Sequence, residues 1–274
     1  MKADLHNHSY YSDGVLSPSE VVKLASEAKC DLFSLTDHDT TDGIAEAQKE
    51  ADKLNLDLVN GVEISAFWRN MAIHILGLGI DVNNDILQTG LEHNQKLRKE
   101  RAEKIALGLW RSGIKDALEK TQSFSKTAML TRTHFAQMLI SEGYCKDMKA
   151  VFRRYLTGKK PGGVRVEWED FDEVVHWIHA AGGKALIAHP FRYRMTHTKI
   201  KTMLNDFKCV QGDGIEVVTG TSSDEEIELG SQWVDKYNLL ATSGSDFHGW
   251  PNQRVRIGNL KDLPSSEKAI WRYL

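Results

Sequence analysis

The stretch DLHNHSYYSDG, residues 4–14, lies at the end of a short predicted strand, Ala3–Leu5, and sets the interpretation of what comes after it. Residues two apart in an extended strand point to the same side, so His6 and His8 can reach one ion together. Asp13 lies just past a bend, from which its carboxylate can turn back toward the end of the strand. Each residue alone has a simpler structural explanation, but the combination favours a metal site.

Titratable groups recur at the ends of, or within, further predicted strands. Apolar runs are found at Leu32–Leu35, Leu58–Ile64, Ile73–Leu78, Ala185–Ala188, Gly214–Val218 and Leu239–Thr242. With the first stretch, they give nine candidate ligands: His6, His8, Asp13, His38, Glu63, His74, His189, Asp246 and His248. An arginine partner for Glu63 and a hydrogen-bonded core position for His74 are the alternatives at those two positions. In α/β barrels, active sites assemble at the carboxyl ends of the strands.

The number and kind of these ligands constrain the metal. A catalytic zinc-like ion uses about three protein ligands, so nine candidates suit two or three ions. Imidazole and carboxylate without thiolate suit Mn, Fe or Zn. Cys30, Cys145 and Cys209 are scattered and lack CxxC spacing, which argues against a disulfide framework and against a thiolate zinc site.

Composition excludes several other classes of protein. The 274 residues carry 35 Lys and Arg against 38 Asp and Glu, a net charge of -3. This balance argues against a broad basic face and against stable DNA binding, though not against a local anion site. We find no signal-peptide pattern and no run near the roughly 18 apolar residues of a membrane span. We therefore expect a cytoplasmic protein, and its oligomeric state stays open.

Strands and helices alternate at both ends of the chain but not in the middle. Ser17-Pro18-Ser19-Glu20 is a capping box that predicts a helix to about Ala28. Further helices are predicted at 43–54, 171–181 and 224–237, and a less certain strand at 255–260 with a short helix after it. Residues 84–165 are charged and helical in period, with helices predicted at 91–109, 131–141 and 148–156. We predict a barrel made of 1–83 and 166–274, interrupted by a helical insertion, 84–165.

Together these motifs resemble the PHP superfamily, the polymerase and histidinol phosphatase domains. The resemblance rests on DLHNHSYYSDG (4–14), TDHD (36–39), GVEIS (61–65), IHILG (73–77), AHP (188–190) and SGSDFHG (243–249). It implies an α/β fold, a distorted (β/α)7 barrel with an inserted helical subdomain, and a centre of three divalent metal ions, Mn above all, with Fe or Zn as alternatives.

The family pattern also implies how the ligands divide. One ion takes His6, His8, Glu63 and Asp246, a second shares Glu63 and adds His74 and His189, and a third takes Asp13, His38 and His248. Some related enzymes have His in place of Asp13, a difference that bears on metal preference.

The resemblance is greatest to bacterial members that act on 3′,5′-nucleoside bisphosphates or trim RNA from the 5′ end. It implies a phosphoesterase that hydrolyses phosphate from nucleotides such as pAp or AMP, trims short 5′-phosphorylated RNA, or does both, through attack of a metal-bound hydroxide on phosphorus. Asp39 is a candidate proton donor to the leaving oxygen, although capping of the next helix by Asp37 or Asp39 explains that motif equally well. The alternatives are a phosphatase for histidinol phosphate or another small phosphomonoester, and a non-catalytic metal-binding module.

Substrate recognition is predicted to come from the insertion. Arg132 and His134, two apart before a helix, can both donate to a phosphate, and Arg192 after His189-Pro190 is a third candidate. Lys159 and Lys160 either extend a path for RNA or form a solvated loop. Phe67 and Trp68 could stack a base, although core packing is the simpler role. His93, His176, His179 and His197 are expected to have ordinary structural or surface roles.

Overall fold

The computed structural model describes residues 1–250, 254–264 and 268–274, in which strands and helices alternate. The strands are β1 (Ala3–Asp4), β2 (Leu32–Leu35), β3 (Asp57–Trp68), β4 (Met71–Leu78), β5 (Lys184–Ile187), β6 (Gly214–Thr219) and β7 (Leu240–Gly244). The helices are α1 (Pro18–Glu27), α2 (Ile44–Leu54), α3 (Asp85–Arg111), α4 (Ala117–Gln122), α5 (Arg132–Ser141), α6 (Met148–Val151), α7 (Phe171–Ala180), α8 (His197–Cys209) and α9 (Asp224–Tyr237). A π-helical turn, Phe152–Leu156, continues α6, and 3₁₀ turns lie at Pro190–Arg192 and Ile270–Arg272.

The seven strands form one sheet in the order of the sequence, from β1 to β7. Its two edges meet, because the backbone amide of Leu5 donates to the carbonyl of Ser243 at 3.0 Å and Asn7 bridges to Phe247. The sheet is therefore a nearly closed barrel, and the predicted distorted (β/α)7 barrel is confirmed.

One pair of strands departs from the predicted βα rhythm. β3 and β4 form a long antiparallel hairpin, in which Trp68 pairs with Met71 around Arg69 and Asn70. Both turn residues have positive φ, 44° and 66°, as a two-residue hairpin turn of type I′ requires. β4 is therefore antiparallel to β5 as well. Because β4 runs antiparallel to its neighbours, its first half lies at the end of the barrel where the other strands have their carboxyl ends.

The capping box that was predicted for the first helix is present. The Ser17 hydroxyl accepts from the Glu20 amide at 3.2 Å, and the Glu20 carboxylate accepts from the Ser17 amide at 2.7 Å. α1 then buries Val21, Val22 and Ala25 in a cluster that includes Phe33 of β2. This packing fixes the strand whose end carries His38.

Helix α3 links two hydrophobic cores. Its first turns bury Leu87 and Leu91 with α7 and the barrel strands, and Gly90 lies against the ring of Trp177 so closely that a Cβ would be 2.3 Å from it. Its second half joins α4, α5 and α6 in a separate cluster that contains Ile105 and Phe135. α3 thus begins at Asp85, six residues before the predicted start, and projects from the barrel into the helical segment.

Two further details differ from the sequence predictions. Helix α8 (His197–Cys209) was not predicted as a helix. The strand predicted at 255–260 is wrong in its described residues: Val255 and Ile257 pack beside α1 in an irregular segment. None of the described helices is both long enough and apolar enough to cross a membrane.

Candidate metal centre and adjoining cleft

The nine predicted ligands converge at one end of the barrel. The structure forms three groups whose ligand atoms lie within 4.8 Å of one another: His6, His8, Glu63 and Asp246; His8, Asp13, His38 and His248; and His38, Glu63 and His74. His189 joins them, because its Nε2 lies 2.9 Å from Glu63 Oε1. Glu63 and His74 are not at strand ends; they meet through the β3–β4 hairpin, where Glu63 Oε1 lies 2.7 Å from His74 Nδ1.

Buried polar atoms without hydrogen-bond partners test whether these side chains fit metal ions. Such atoms are costly in a protein interior and are uncommon. Within the described residues, six of them belong to the predicted ligands: His6 Nε2, His8 Nε2, Asp13 Oδ1, His38 Nδ1, Glu63 Oε2 and His189 Nδ1. Nitrogen and carboxylate oxygen are the donors that Mn, Fe and Zn accept, so this set fits divalent cations.

The protonation states of five of these ligands suit the same role. His6 differs, because burial lowers its pKa but the carboxylates of Glu216 and Glu63 outweigh this and raise it to about 10. Burial raises the pKa of Glu63 and of Asp13, but neighbouring histidines outweigh it and hold both pKa values well below the usual range. Burial lowers the pKa of His38 to about 3 and that of His189 and His248 to about 4. Ionised carboxylates and neutral imidazoles are the forms that bind metals.

A buried carboxylate that the sequence prediction missed lies behind His6. Glu216 of β6 is fully buried; its Oε1 lies 3.0 Å from His6 Nδ1, and its Oε2 accepts from the His189 amide at 2.7 Å. With Nδ1 engaged, His6 presents Nε2 to the centre. Glu216 stands in the apolar run Gly214–Val218 just as Glu63 stands in its own run, so the same signal was present in the sequence.

Two more buried carboxylates hold the loops that carry the ligands. Asp4 accepts from the amides of Ser245 and Gly258, each at 2.8 Å. Asp37 accepts from the hydroxyls of Ser9 and Ser12, each at 2.6 Å. Asp37 therefore fixes the loop between His8 and Asp13, and the helix-capping role considered for it is wrong: α2 begins after Gly43 with no side-chain cap.

Asp39 has a different environment from the one predicted for a proton donor. It is fully buried, and its carboxylate accepts from Arg98 Nε at 2.6 Å, Ser65 N at 2.7 Å and Asn94 Nδ2 at 2.9 Å. Burial raises the pKa of Asp39, but the Arg98 guanidinium and these hydrogen bonds outweigh burial, so the pKa lies below its usual value. This anion is fixed within the protein, so the geometry contradicts both the general-acid role and the capping role.

A cleft of about 390 Å³ opens beside Asp13, His38 and His74. Four arginines line it: Arg98, Arg101, Arg132 and Arg165. Aromatic rings back three of them, with Arg98 5.3 Å from the centre of the Trp168 ring, Arg165 5.3 Å from Phe67 and Arg132 5.7 Å from Phe152. Burial, and then repulsion from the neighbouring arginines, lower the pKa of Arg101 and Arg132, so the cleft favours an anion.

The predicted substrate residues separate in the structure. Arg132 lines the cleft as predicted, whereas His134 is 2% exposed and its Nδ1 accepts from the Thr131 amide at 3.1 Å. His134 is thus part of the cap of α5, and the phosphate role predicted for it is contradicted. Arg192 pairs with Asp246, beside the ligands and outside the lining of the cleft.

The sequence prediction missed Arg98, Arg101 and Arg165, because a charged residue on a helix or loop usually faces the solvent. Trp68 is 2% exposed and donates to Asp206 at 2.8 Å, which is the expected core role, whereas Phe67 lines the cleft.

Comparisons with known proteins find relatives that match almost the whole chain. The model of the PHP domain family matches residues 4–184. The chain is 42% identical to a 3′,5′-nucleoside bisphosphate phosphatase of Chromobacterium violaceum, over 99% of this chain and 95% of that protein. It is 37% identical to a 5′-3′ exoribonuclease of Haemophilus influenzae, over 98% of each.

Solved structures show the same fold. An amidohydrolase of Chromobacterium violaceum, with bound sulfate and no metal, is 41% identical with a TM-score of 0.95, covering 100% of this chain and 95% of that one. A protein of Bifidobacterium adolescentis shares the fold at 24% identity with a TM-score of 0.85, covering 98% and 96%.

Proposed function

The chain belongs to the PHP domain family, and from this premise we propose that it is a metal-dependent phosphoesterase acting on nucleotides. Its substrates are 3′,5′-bisphosphates such as pAp, and the 5′ ends of short RNA. The observation that carries the proposal is the adjacency of two features that attract phosphate, a nine-residue cluster able to hold divalent cations and a cleft lined by four arginines. A nucleotide with two phosphates fits two such features.

The ligand cluster fits three divalent cations, with manganese as the proposed metal and iron or zinc as alternatives. His6, His8, Glu63 and Asp246 hold one, Glu63, His74 and His189 the second, and Asp13, His38 and His248 the third. When bound, such cations lower the pKa of a coordinated water and offset the charge of the phosphate under attack. Glu216 and Asp37 keep the protein ligands in place.

The arginine cleft binds the phosphate that is not hydrolysed. Within the described residues Arg132 has no hydrogen-bond or ion-pair partner and can offer two parallel hydrogen bonds, and Arg101 donates only to the Val164 carbonyl at 3.3 Å. Arg98 is already paired with the Asp39 carboxylate, so its charge is largely offset within the protein. Its main role is to hold the wall of the cleft in place, and it contributes less to binding the phosphate. Arg192, which pairs with Asp246, contacts the phosphate at the metals.

A substrate screen with added Mn²⁺ tests this function. We expect pAp to be hydrolysed with a higher kcat/KM than AMP or histidinol phosphate, and 5′-phosphorylated oligonucleotides to be shortened. Preference for histidinol phosphate would favour the small-phosphomonoester alternative. Metal binding without hydrolysis of any of these compounds would favour the non-catalytic alternative.

Variants of the two features test them separately. His8→Ala and Asp246→Ala are expected to abolish hydrolysis while the circular dichroism spectrum stays unchanged, and full activity in either variant would refute the ligand assignment. Arg132→Ala is expected to raise KM for pAp about tenfold or more, in line with the loss of a charged hydrogen-bonded pair. The KM for p-nitrophenyl phosphate, which has one phosphate, serves as the control and should change little.

A further inference from the structure

Charge is distributed very unevenly along the chain. Residues 84–165 carry 17 Lys and Arg against 8 Asp and Glu, whereas the remaining residues carry 18 against 30. The overall net charge of -3 therefore conceals a helical segment of +9 on a barrel of -12. A concentrated positive field on one part of a protein attracts polyanions to that part.

The basic residues concentrate further within this segment. Between Asp147 and Glu167 there is no acidic residue, and six exposed cations occur in this interval. Five of them are here termed the basic strip: Arg153, Arg154, Lys159, Lys160 and Arg165. Within the described chain, none of the five has a carboxylate at salt-bridge distance. Arg154 lies over the ring of Tyr155 at 5.5 Å, and Arg165 lies over Phe67 at 5.3 Å.

The basic strip is continuous with the arginine cleft. Phe152, at the start of the π-helical turn, and Arg165, at the far end of the strip, both line the cleft. The loop between them packs on α3: Arg101 donates to the Val164 carbonyl at 3.3 Å, and a Cβ on Gly108 would lie 1.8 Å from the Pro161 carbonyl oxygen. Gly108 is thus needed at this close approach, which holds Lys159 and Lys160 near α3.

We propose that the basic strip binds the backbone of a single-stranded oligonucleotide whose 5′-terminal nucleotide occupies the cleft. This inference rests on the proposed function and extends it, by assigning the downstream phosphates to residues that a mononucleotide does not reach. A single strand is required because the candidate ligands are at most half-exposed and the cleft is about 390 Å³, too small to admit a duplex end. Basic grooves backed by aromatic rings are typical of single-strand binding.

The test compares Lys159→Gln/Lys160→Gln with a control double variant, Lys49→Gln/Lys236→Gln, which removes two exposed cations from the barrel helices α2 and α9. The substrates are pAp and 5′-phosphorylated oligoadenylates of two to ten nucleotides, with Mn²⁺. In the wild type and the control, kcat/KM should rise with length and then level off. In the strip variant this rise should fall by about fivefold or more, whereas pAp hydrolysis should match that of the control.

Equilibrium binding gives a readout that does not depend on hydrolysis. Anisotropy of a fluorescein-labelled 5′-hydroxyl decaadenylate should show weaker binding by the strip variant and a log Kd–log salt slope smaller by about 1.4, the value for two phosphate contacts on a single strand. Equal affinity and slope for both variants, or tighter binding of a duplex than of the single strand, would overturn the inference. Failure of the wild type to hydrolyse pAp would refute the proposed function, and the binding result would still decide the role of the strip.

Discussion

Glu216 illustrates how a side chain outside the candidate ligand cluster can hold members of that cluster in place. It bridges the His6 ring and the His189 amide from full burial. Carboxylates behind metal-binding histidines fix the ring and its tautomer, and their loss typically costs 10- to 100-fold in metal affinity. We expect Glu216→Gln to weaken Mn²⁺ binding by about that factor in isothermal titration calorimetry, with an unchanged circular dichroism spectrum.

Glu228→Gln is the matched control, because Glu228 is exposed on α9 and pairs only with Gln232 among the described residues. It should bind Mn²⁺ as the wild type does. If Glu216→Gln bound Mn²⁺ with wild-type affinity, Glu216 would be merely a core residue and its positioning role would be wrong.

The three cysteines should differ sharply in reactivity. Burial, and then the nearby Asp4 carboxylate, raise the pKa of Cys30 to about 12, so its thiol stays protonated through the whole neutral and mildly alkaline range. Cys145 is also buried, whereas Cys209 is exposed. Because the thiolate is the reactive form, we expect one fast-reacting thiol per chain with Ellman's reagent at pH 8, and three after guanidinium unfolding. Rapid reaction of all three in the native protein would contradict this assignment.

At the residue scale the sequence predicted the residues that cluster at the candidate metal centre better than those that line the cleft. A histidine two residues from another at a strand end, as in His6 and His8, has few structural alternatives. Arg98 and Arg101, by contrast, look like any charged residues on a helix, since only tertiary packing turns that face of α3 toward the cleft. For His134 the prediction of phosphate binding was wrong, because a polar side chain at the third position of a helix can also cap that helix, as His134 does in α5.

At the element scale, a buried ion pair joins helix α3 of the helical segment to the residues after β2, next to the ligand cluster. Arg98 of α3 and Asp39, which follows β2, are 8% and 0% exposed in their side chains, and Asn94 and Ser65 complete the network. Removing one member of such a pair leaves an uncompensated buried charge and costs about 3–5 kcal/mol. We expect Arg98→Met to lower the free energy of unfolding by about 3 kcal/mol or more in urea denaturation.

Two further variants check that this loss comes from the pair. Arg111→Met, at the exposed end of the same helix, should change stability by less than about 0.5 kcal/mol. The double variant Arg98→Met/Asp39→Asn should be less destabilised than the sum of the two single variants, because no charge is left unpaired. Additive losses would show that Arg98 and Asp39 act independently.

At the element scale, the strands were accessible to periodicity, but the direction of β4 was not. The runs around Glu63 and His74 are apolar enough for buried strands in either direction, and Arg69-Asn70 is a weaker turn signal than Asn-Gly. The hairpin explains how two residues in the middle of strands can still reach ligands at the strand ends. The separation of 84–165 as an insertion stays a prediction, since α3 runs continuously from one core into the other.

At the scale of the whole molecule, the candidate ligands span the chain from His6 to His248 and lie in the β3–β4 hairpin and in the segments after β1, β2, β5 and β7. Closing the barrel brings these segments together, and it also brings ionised Glu63 and Asp13 into a buried cluster. Cations bound there should therefore stabilise the closed barrel as well as the site.

We expect metal removal to lower the thermal stability of the protein. Anything that binds only the folded state stabilises it by about 2.7 kcal/mol at a concentration 100 times its Kd, and in a chain of this size each kcal/mol shifts Tm by roughly 2 °C. With two or more sites filled, Mn²⁺ should raise Tm by about 10 °C over the EDTA-treated protein in differential scanning calorimetry. His8→Ala should lose most of this rise because His8 belongs to two of the ligand groups, whereas His176→Ala, exposed on α7, should retain it. An identical Tm with Mn²⁺ and with EDTA would mean that these nine side chains do not form a metal centre, and the proposed function would fall with it.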